Sequence, residues 1–163
     1  MTSAVDQADF RRALGSFATG VAVVSCVVDG VDHAMTANAI ASLSLTPPLV
    51  MVAIAVTSRF HGAVRTQDHW CVSILDSSAA DHAAWLATKG RPLDGQLARV
   101  PHHRSHRGIA VLDQSLAWLE CRTDQVVRAG DHDMFIGEVE RIVVSDPGDA
   151  LLYWRSEYRS LPG

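Results

Sequence analysis

Polar and apolar residues along the chain fall into blocks whose periods predict a mostly β protein. Phe10, Leu14 and Phe17 recur at helical spacing within ADFRRALGSFATG, with Asp9 as the expected N-cap and Gly20 as the expected stop. The β-branched run VAVVSCVV (21–28) ends at Asp29-Gly30, a pair that signals a hairpin, and the returning strand is read in VDHAMTANA (31–39). LVMVAIAV (49–56) reads as a strand buried on both faces, because its apolar run does not alternate. A short helix capped by Ser58 is expected over 58–67, a strand over 69–75, and a helix over 81–90 closed by Lys89 and Gly90. Residues 90–108 have no period and read as a long loop. Strands return at 115–127, 134–144 and 150–154, before the tail RSEYRSLPG. Six or seven sequential strands with two or three short helices predict an antiparallel barrel with helices at its ends, in a single domain over residues 1–163.

Composition narrows the class. The 163 residues are 48 % hydrophobic and 20 % charged, with a formal charge of −4 and no basic block, which argues against nucleic acid or an anionic membrane as the main partner. Cys26, Cys71 and Cys121 are odd in number and lie in apolar runs, a pattern of buried free thiols rather than a disulfide framework. The N-terminus lacks a basic region followed by an apolar core, and PPLVMVAIAV is too short to span a bilayer as a helix. A soluble cytoplasmic chain is the expectation.

Candidate chemistry concentrates in MTANAIASLSLTPPLV (35–50). It holds Asn38, the one asparagine of the chain, with hydroxyls at Thr36, Ser42, Ser44 and Thr46. Such residues commonly satisfy turns. Here they alternate with the small residues Ala37, Ala39 and Ala41, which let backbone approach a flat ligand, and end at Pro47-Pro48 before an apolar strand. At the far end of that strand Ser58 and Arg59 stand at an expected helix start, where a phosphate is favoured. His102, His103 and His106 share a loop with Arg104 and Arg107, whose charges oppose a cation, so no metal site is expected. His132 lies between Asp131 and Asp133 at the entrance to a strand. No glycine-rich nucleotide motif and no nucleophile elbow occur.

The pieces FRRALGSFATGVAVVS (10–25), MTANAIASLSLTPPLVMVAI (35–54), SRF (58–60), LAWLECR (116–122), GDHDMFIGEV (130–139) and LLYWRSEYR (151–159) carry a resemblance in order and spacing. The chain resembles the short-chain flavin reductases of two-component monooxygenase systems, in the FMN-binding split-barrel superfamily. The resemblance implies an antiparallel split β-barrel of Greek-key type and a homodimer. It also implies that NADH or NADPH reduces FMN or FAD and that the reduced flavin passes to a separate flavin-dependent oxygenase. Thr36, Ala37, Asn38, Ser42, Leu43 and Ser44 would surround the flavin, partly through backbone amides. Ser58 and Arg59 would take its phosphate, with His132 and Tyr158 near the nicotinamide nucleotide. Residues 88–108 depart from the family's pattern, which leaves Lys89 and Arg91 unplaced and FMN against FAD open. Two other readings stand beside this one: a split barrel with tightly held flavin acting as oxidase or electron carrier, and a non-enzymatic flavin-binding module. A site without acids or bases suits hydride transfer, because the cofactors carry that chemistry and the protein supplies position and electrostatics.

Overall fold

A computed structural model describes residues 5–146 and 148–161. Residues 1–4, on which the reading of the N-terminus partly rests, and the last two residues of the tail lie outside them. Among the described residues the elements run α1 (Gln7–Leu14), β1 (Thr19–Gly20), β2 (Ala22–Val28), β3 (Val31–Ala37), β4 (Ile40–Leu45), β5 (Pro48–Ala55), α2 (Arg59–Val64) and β6 (His69–Leu75). After a 3-10 turn at Ser77–Ala79 come α3 (Ala80–Ala87), β7 (His102–Arg104), β8 (Ala110–Leu112), β9 (Ser115–Ala129), β10 (His132–Val144), β11 (Leu151–Trp154) and β12 (Glu157–Ser160).

Seven antiparallel strands form the main sheet in the order β3-β2-β6-β9-β10-β5-β4. Its two edge strands, β3 and β4, are consecutive in sequence and joined by only Asn38 and Ala39, so the sheet must curl until its edges meet. The Ala53 N–H donates to the Ala39 carbonyl at 2.9 Å at this meeting point. The β2–β3 hairpin turns at Asp29 (φ 51°) and Gly30 (φ 79°), as the Asp-Gly pair predicts for a turn needing two left-handed residues. Small sheets complete the fold: β1-β11-β12, and the β7-β8 hairpin.

Strand alternation sorts the side chains. Val24, Val52, Trp70, Val72 and Phe135 fill the barrel. α2 plugs one end with Phe60, Ala63 and Val64, and Ser58 caps it by accepting from the His61 N–H at 3.1 Å. On the outside of β2 and β3, α3 contributes Ala83 and Leu86 to a second cluster with Val21, Val23 and Ala34. Buried hydroxyls tie the β7–β8 hairpin to this wall: Ser25 donates to the Ala110 carbonyl at 2.6 Å, and Ser73 accepts from the Leu112 N–H at 3.0 Å.

Several expectations are corrected. α1 is capped by Asp6, not Asp9, and ends at Leu14, because Gly20 belongs to β1. Residues 40–45, whose hydroxyls suit a turn in sequence, form an edge strand whose backbone pairs with β5. The segment 90–108 contains β7, and the tail contains β12. β5 buries one face only: Val50, Val52 and Ile54 point into the barrel, while Met51, Ala53 and Ala55 are half-buried on the outside.

Candidate functional site

The half-buried outer face has a defined composition. Antiparallel register sets Met51 beside Ile136, Ala53 beside Met134 and Ala55 beside His132, which makes a shallow floor of small and flexible side chains. α1 stands over part of it, and the space between is an open cleft of about 900 Å³. Asn38, Ala39, Ile40 and Met51 line it from the barrel, Phe10 and Leu14 from α1, and Tyr153 from β11. Arg11 and Arg155 also line it, and no carboxylate does among the described residues. The Asn38 amide donates to Thr19 Oγ1 at 3.2 Å.

At the start of β10, His132 Nδ1 lies 2.8 Å from Asp131 Oδ1. This hydrogen bond, the imidazole's charge and, more weakly, Arg11 of α1 hold the Asp131 carboxyl below the ordinary carboxylate range. One residue on, Asp133 points the other way and is buried, paired to His61 at 2.7 Å, Arg65 at 3.0 Å and Arg128 at 2.5 Å. Asp133 therefore ties the α2 plug to the β9–β10 hairpin.

A cationic corner forms beyond the end of β5. Arg59 Nη1 donates to the Arg91 carbonyl at 2.9 Å. Arg91 donates to the carbonyls of Thr88 and Ala34 and to Gln96 Oε1. Burial, then the neighbouring Arg59 charge, pulls the Arg91 guanidinium below its ordinary value. The buried Arg91 Nε and His33 Nδ1 have no partner. Neither arginine has a carboxylate within ion-pair range among the described residues. Two adjacent guanidiniums with unmet donors fit a phosphate.

The predicted site residues separate into groups. Asn38 lines the cleft. Tyr158 packs against the cleft residue Tyr153 with its ring tilted at 59° and 5.4 Å between centroids, and burial pushes its phenol up. His132 sits at the corner beside Arg11's field, and Ser58 and Arg59 at the cationic corner. Ser42, Leu43 and Ser44 lie on edge strand β4, outside the cleft lining, with Leu43 unpaired at a bulge. Thr36 donates its hydroxyl to the Ala83 carbonyl at 2.7 Å on the α3 side, and Ala37 is packed in the barrel. Sequence reasoning missed Phe10, Arg11, Tyr153 and Arg155, which only the tertiary fold assembles. Elsewhere, His102 and His103 bond to the Val100 carbonyl and Asp113, and among the described residues no group of three or more His, Cys, Asp or Glu is arranged for a metal ion. Burial pushes the free thiols of Cys26 and Cys71 up to about 12, so they are unreactive at neutral pH. No helix among the described residues is long and apolar enough to cross a membrane.

The family described as flavin reductase like domain matches residues 14–162. The chain is 40 % identical over 155 residues to an NADH:riboflavin 5'-phosphate oxidoreductase of Streptomyces pristinaespiralis, covering 93 % of this chain and 85 % of that one. It is 34 % identical over 154 residues to the reductase component of a 4-nitrophenol 4-monooxygenase/4-nitrocatechol 2-monooxygenase of Rhodococcus opacus, covering 94 % and 80 %. Among solved structures, the flavin reductase component of a bacterial two-component tryptophan halogenase superposes with a TM-score of 0.91 at 36 % identity, over 97 % of this chain and 99 % of that one.

Proposed function

Because the chain belongs to the flavin reductase like domain family, we propose that it is an NAD(P)H-dependent reductase of free FMN or FAD that supplies reduced flavin to a separate flavin-dependent monooxygenase. The observation that carries this reading is the cleft itself: apolar walls, an amide, guanidiniums and, among the described residues, no carboxylate. Such a lining accepts flat aromatic anions and offers no general base.

The flavin, when bound, supplies the redox chemistry by accepting a hydride from the nicotinamide. The residues of the chain bind and orient. Asn38 and the neighbouring cleft-lining backbone of 39–40 would form neutral hydrogen bonds at the ring's rim, which favour growing negative charge without a fixed cation that would retain the product. Ser58, Arg59 and Arg91 take the flavin phosphate. His132 orients the nicotinamide and Tyr158 backs the wall that receives it. Holding two flat rings in register contributes several kcal/mol to such a step. A homodimer completes the site in this reading, supported by the half-buried floor and by Phe17 and Leu45, which are 70 % and 89 % exposed.

The test is NADH oxidation with riboflavin, FMN and FAD supplied in turn. The rate should saturate with added flavin, and FMN should saturate it at a concentration about 10-fold lower than riboflavin, the worth of a charge-assisted phosphate contact. A rate independent of added flavin would assign a tightly held prosthetic group instead. No oxidation with any flavin would make the protein a binding module.

A further inference from the structure

Arg155 is held in an unusual way. It has a φ of 50° and is followed by Ser156 at 66°, both in the left-handed region that non-glycine residues rarely occupy. Its guanidinium carbon lies 4.5 Å from the centroid of the Trp154 ring. The Arg155 N–H donates to the Gly15 carbonyl at 3.1 Å, and the Gly15 N–H donates to the Arg11 carbonyl at 2.8 Å. The main chain of Arg155 is therefore docked one helical turn from that of Arg11, and both residues line the cleft. Neither forms an ion pair among the described residues, and Asp131, on which the Arg11 charge acts weakly, is hydrogen-bonded to His132. Phe10 and Phe17 line the same cleft at 58 % and 70 % exposure. Aromatic faces beside two unpaired guanidiniums match a ligand that carries both a base and a diphosphate.

We infer that Arg11 and Arg155 clamp the diphosphate of the dinucleotide hydride donor at the mouth of the cleft. The inference rests on the reductase reading above and extends it to how the donor is recognised. The flavin phosphate has its own corner at Arg59 and Arg91, beyond the end of β5. The donor enters from the solvent side beneath α1, with its nicotinamide directed to the His132 corner and its diphosphate left at the α1–β11 junction. The strained turn and the Trp154 contact fix the Arg155 guanidinium before the ligand arrives, which lowers the ordering cost of binding.

Arg155→Gly tests this without risking the fold, because glycine adopts the left-handed conformation freely. The readout is the ratio of kcat/KM for NADH to that for 1-benzyl-1,4-dihydronicotinamide, a donor with the same reacting ring and no phosphate. The ratio should fall about 10-fold in Arg155→Gly, and further in the double variant with Arg11→Ala, as expected for charge-assisted contacts. An unchanged ratio overturns the clamp. So does a rise in the flavin KM without a change for NADH, which would assign the arginines to the flavin phosphate. NAD+ affinity measured by calorimetry gives the same comparison without turnover: a weaker complex in the variant supports the clamp, and an equal one overturns it. A parent protein that oxidises NADH with no flavin defeats the reductase reading alone, and calorimetry still decides the clamp.

Discussion

The inside of the barrel and its outer face under α1 are built from the same strands and to opposite standards. Inside, Trp70, Val72, Val52 and Phe135 are fully buried, and α2 seals the end with Asp133 as its anchor. Outside, the residues that alternate with Val52 and Phe135 along β5 and β10, Met51, Ala53, Met134 and Ile136, are only half-buried, and α1, which shares the cleft with Met51, buries no residue of its own. α1 and the segment just after it are attached at one end, through Gly15 and Ser16 to Arg155 and Trp154. The interior and the α3-covered wall supply stability, and the outer face of β5 and β10 is left open for ligands that must come and go. Binding surfaces that exchange ligands are drawn from the weakly held parts of a fold.

The largest effect should come from disturbing the closed side. A β-carbon at Gly137 would sit 2.5 Å from Trp70 Cζ2 and 3.0 Å from Cys121 Cβ. The indole cannot retreat, because it is fully buried and its N–H donates to Thr123 Oγ1 at 3.1 Å. Gly137→Ala should therefore lower stability by about 3 kcal/mol, the upper end for overpacking a dense core, read as a shift of the urea midpoint. A midpoint within error of the parent would mean that the interior is as yielding as the outer face.

A smaller effect is expected at the plug. His61, then Arg128 and Arg65, hold the Asp133 carboxyl down to about 2 from its ordinary 3.8. A carboxyl depressed in the folded state leaves the unfolded chain to bind the proton first. Its contribution is fully present above about pH 4 and is lost as pH falls toward 2. Asp133→Asn should lower stability at neutral pH and, between pH 4 and 2, lose stability less steeply than the parent in urea titrations. Parallel curves over that window would show that Asp133 does not anchor the plug.

The closed side was legible in the sequence and the open side was not, for physical reasons. Asp29-Gly30, Ser58 and the apolar run of β5 carry local signals, because turn geometry, capping and burial act on neighbours in sequence. Edge strand β4 was hidden by its hydroxyls, which favour turns locally yet here stand on a paired backbone. β7 has three residues and no apolar one, and is held by β8, whose main chain bonds to Ser25 and Ser73 of distant strands. In the cleft, Asn38 lies in a local cluster of small and polar residues that marks it in sequence. Arg11 and Arg155 lie near opposite ends of the chain, and their meeting follows from β1 pairing with β11, which no periodicity announces.

The smallest effect should come from the open side, and it sharpens the contrast most. Phe10 looks in sequence like a core residue of an amphipathic helix, yet it is 58 % exposed. Phe10→Ser should change the stability of dilute protein by no more than about 0.5 kcal/mol, as for a surface position. Leu86 on α3, fully buried against the other outer wall, is the control: Leu86→Ala should cost at least about 2 kcal/mol. The comparison is best made as a series in protein concentration. If a second copy covers the outer face, association adds stability by mass action, and the Phe10→Ser deficit grows as the protein is concentrated while the Leu86→Ala deficit stays constant. A Phe10→Ser deficit that is large even in dilute protein would mean that α1 is packed on its own barrel, and the open side would then be closed like the interior.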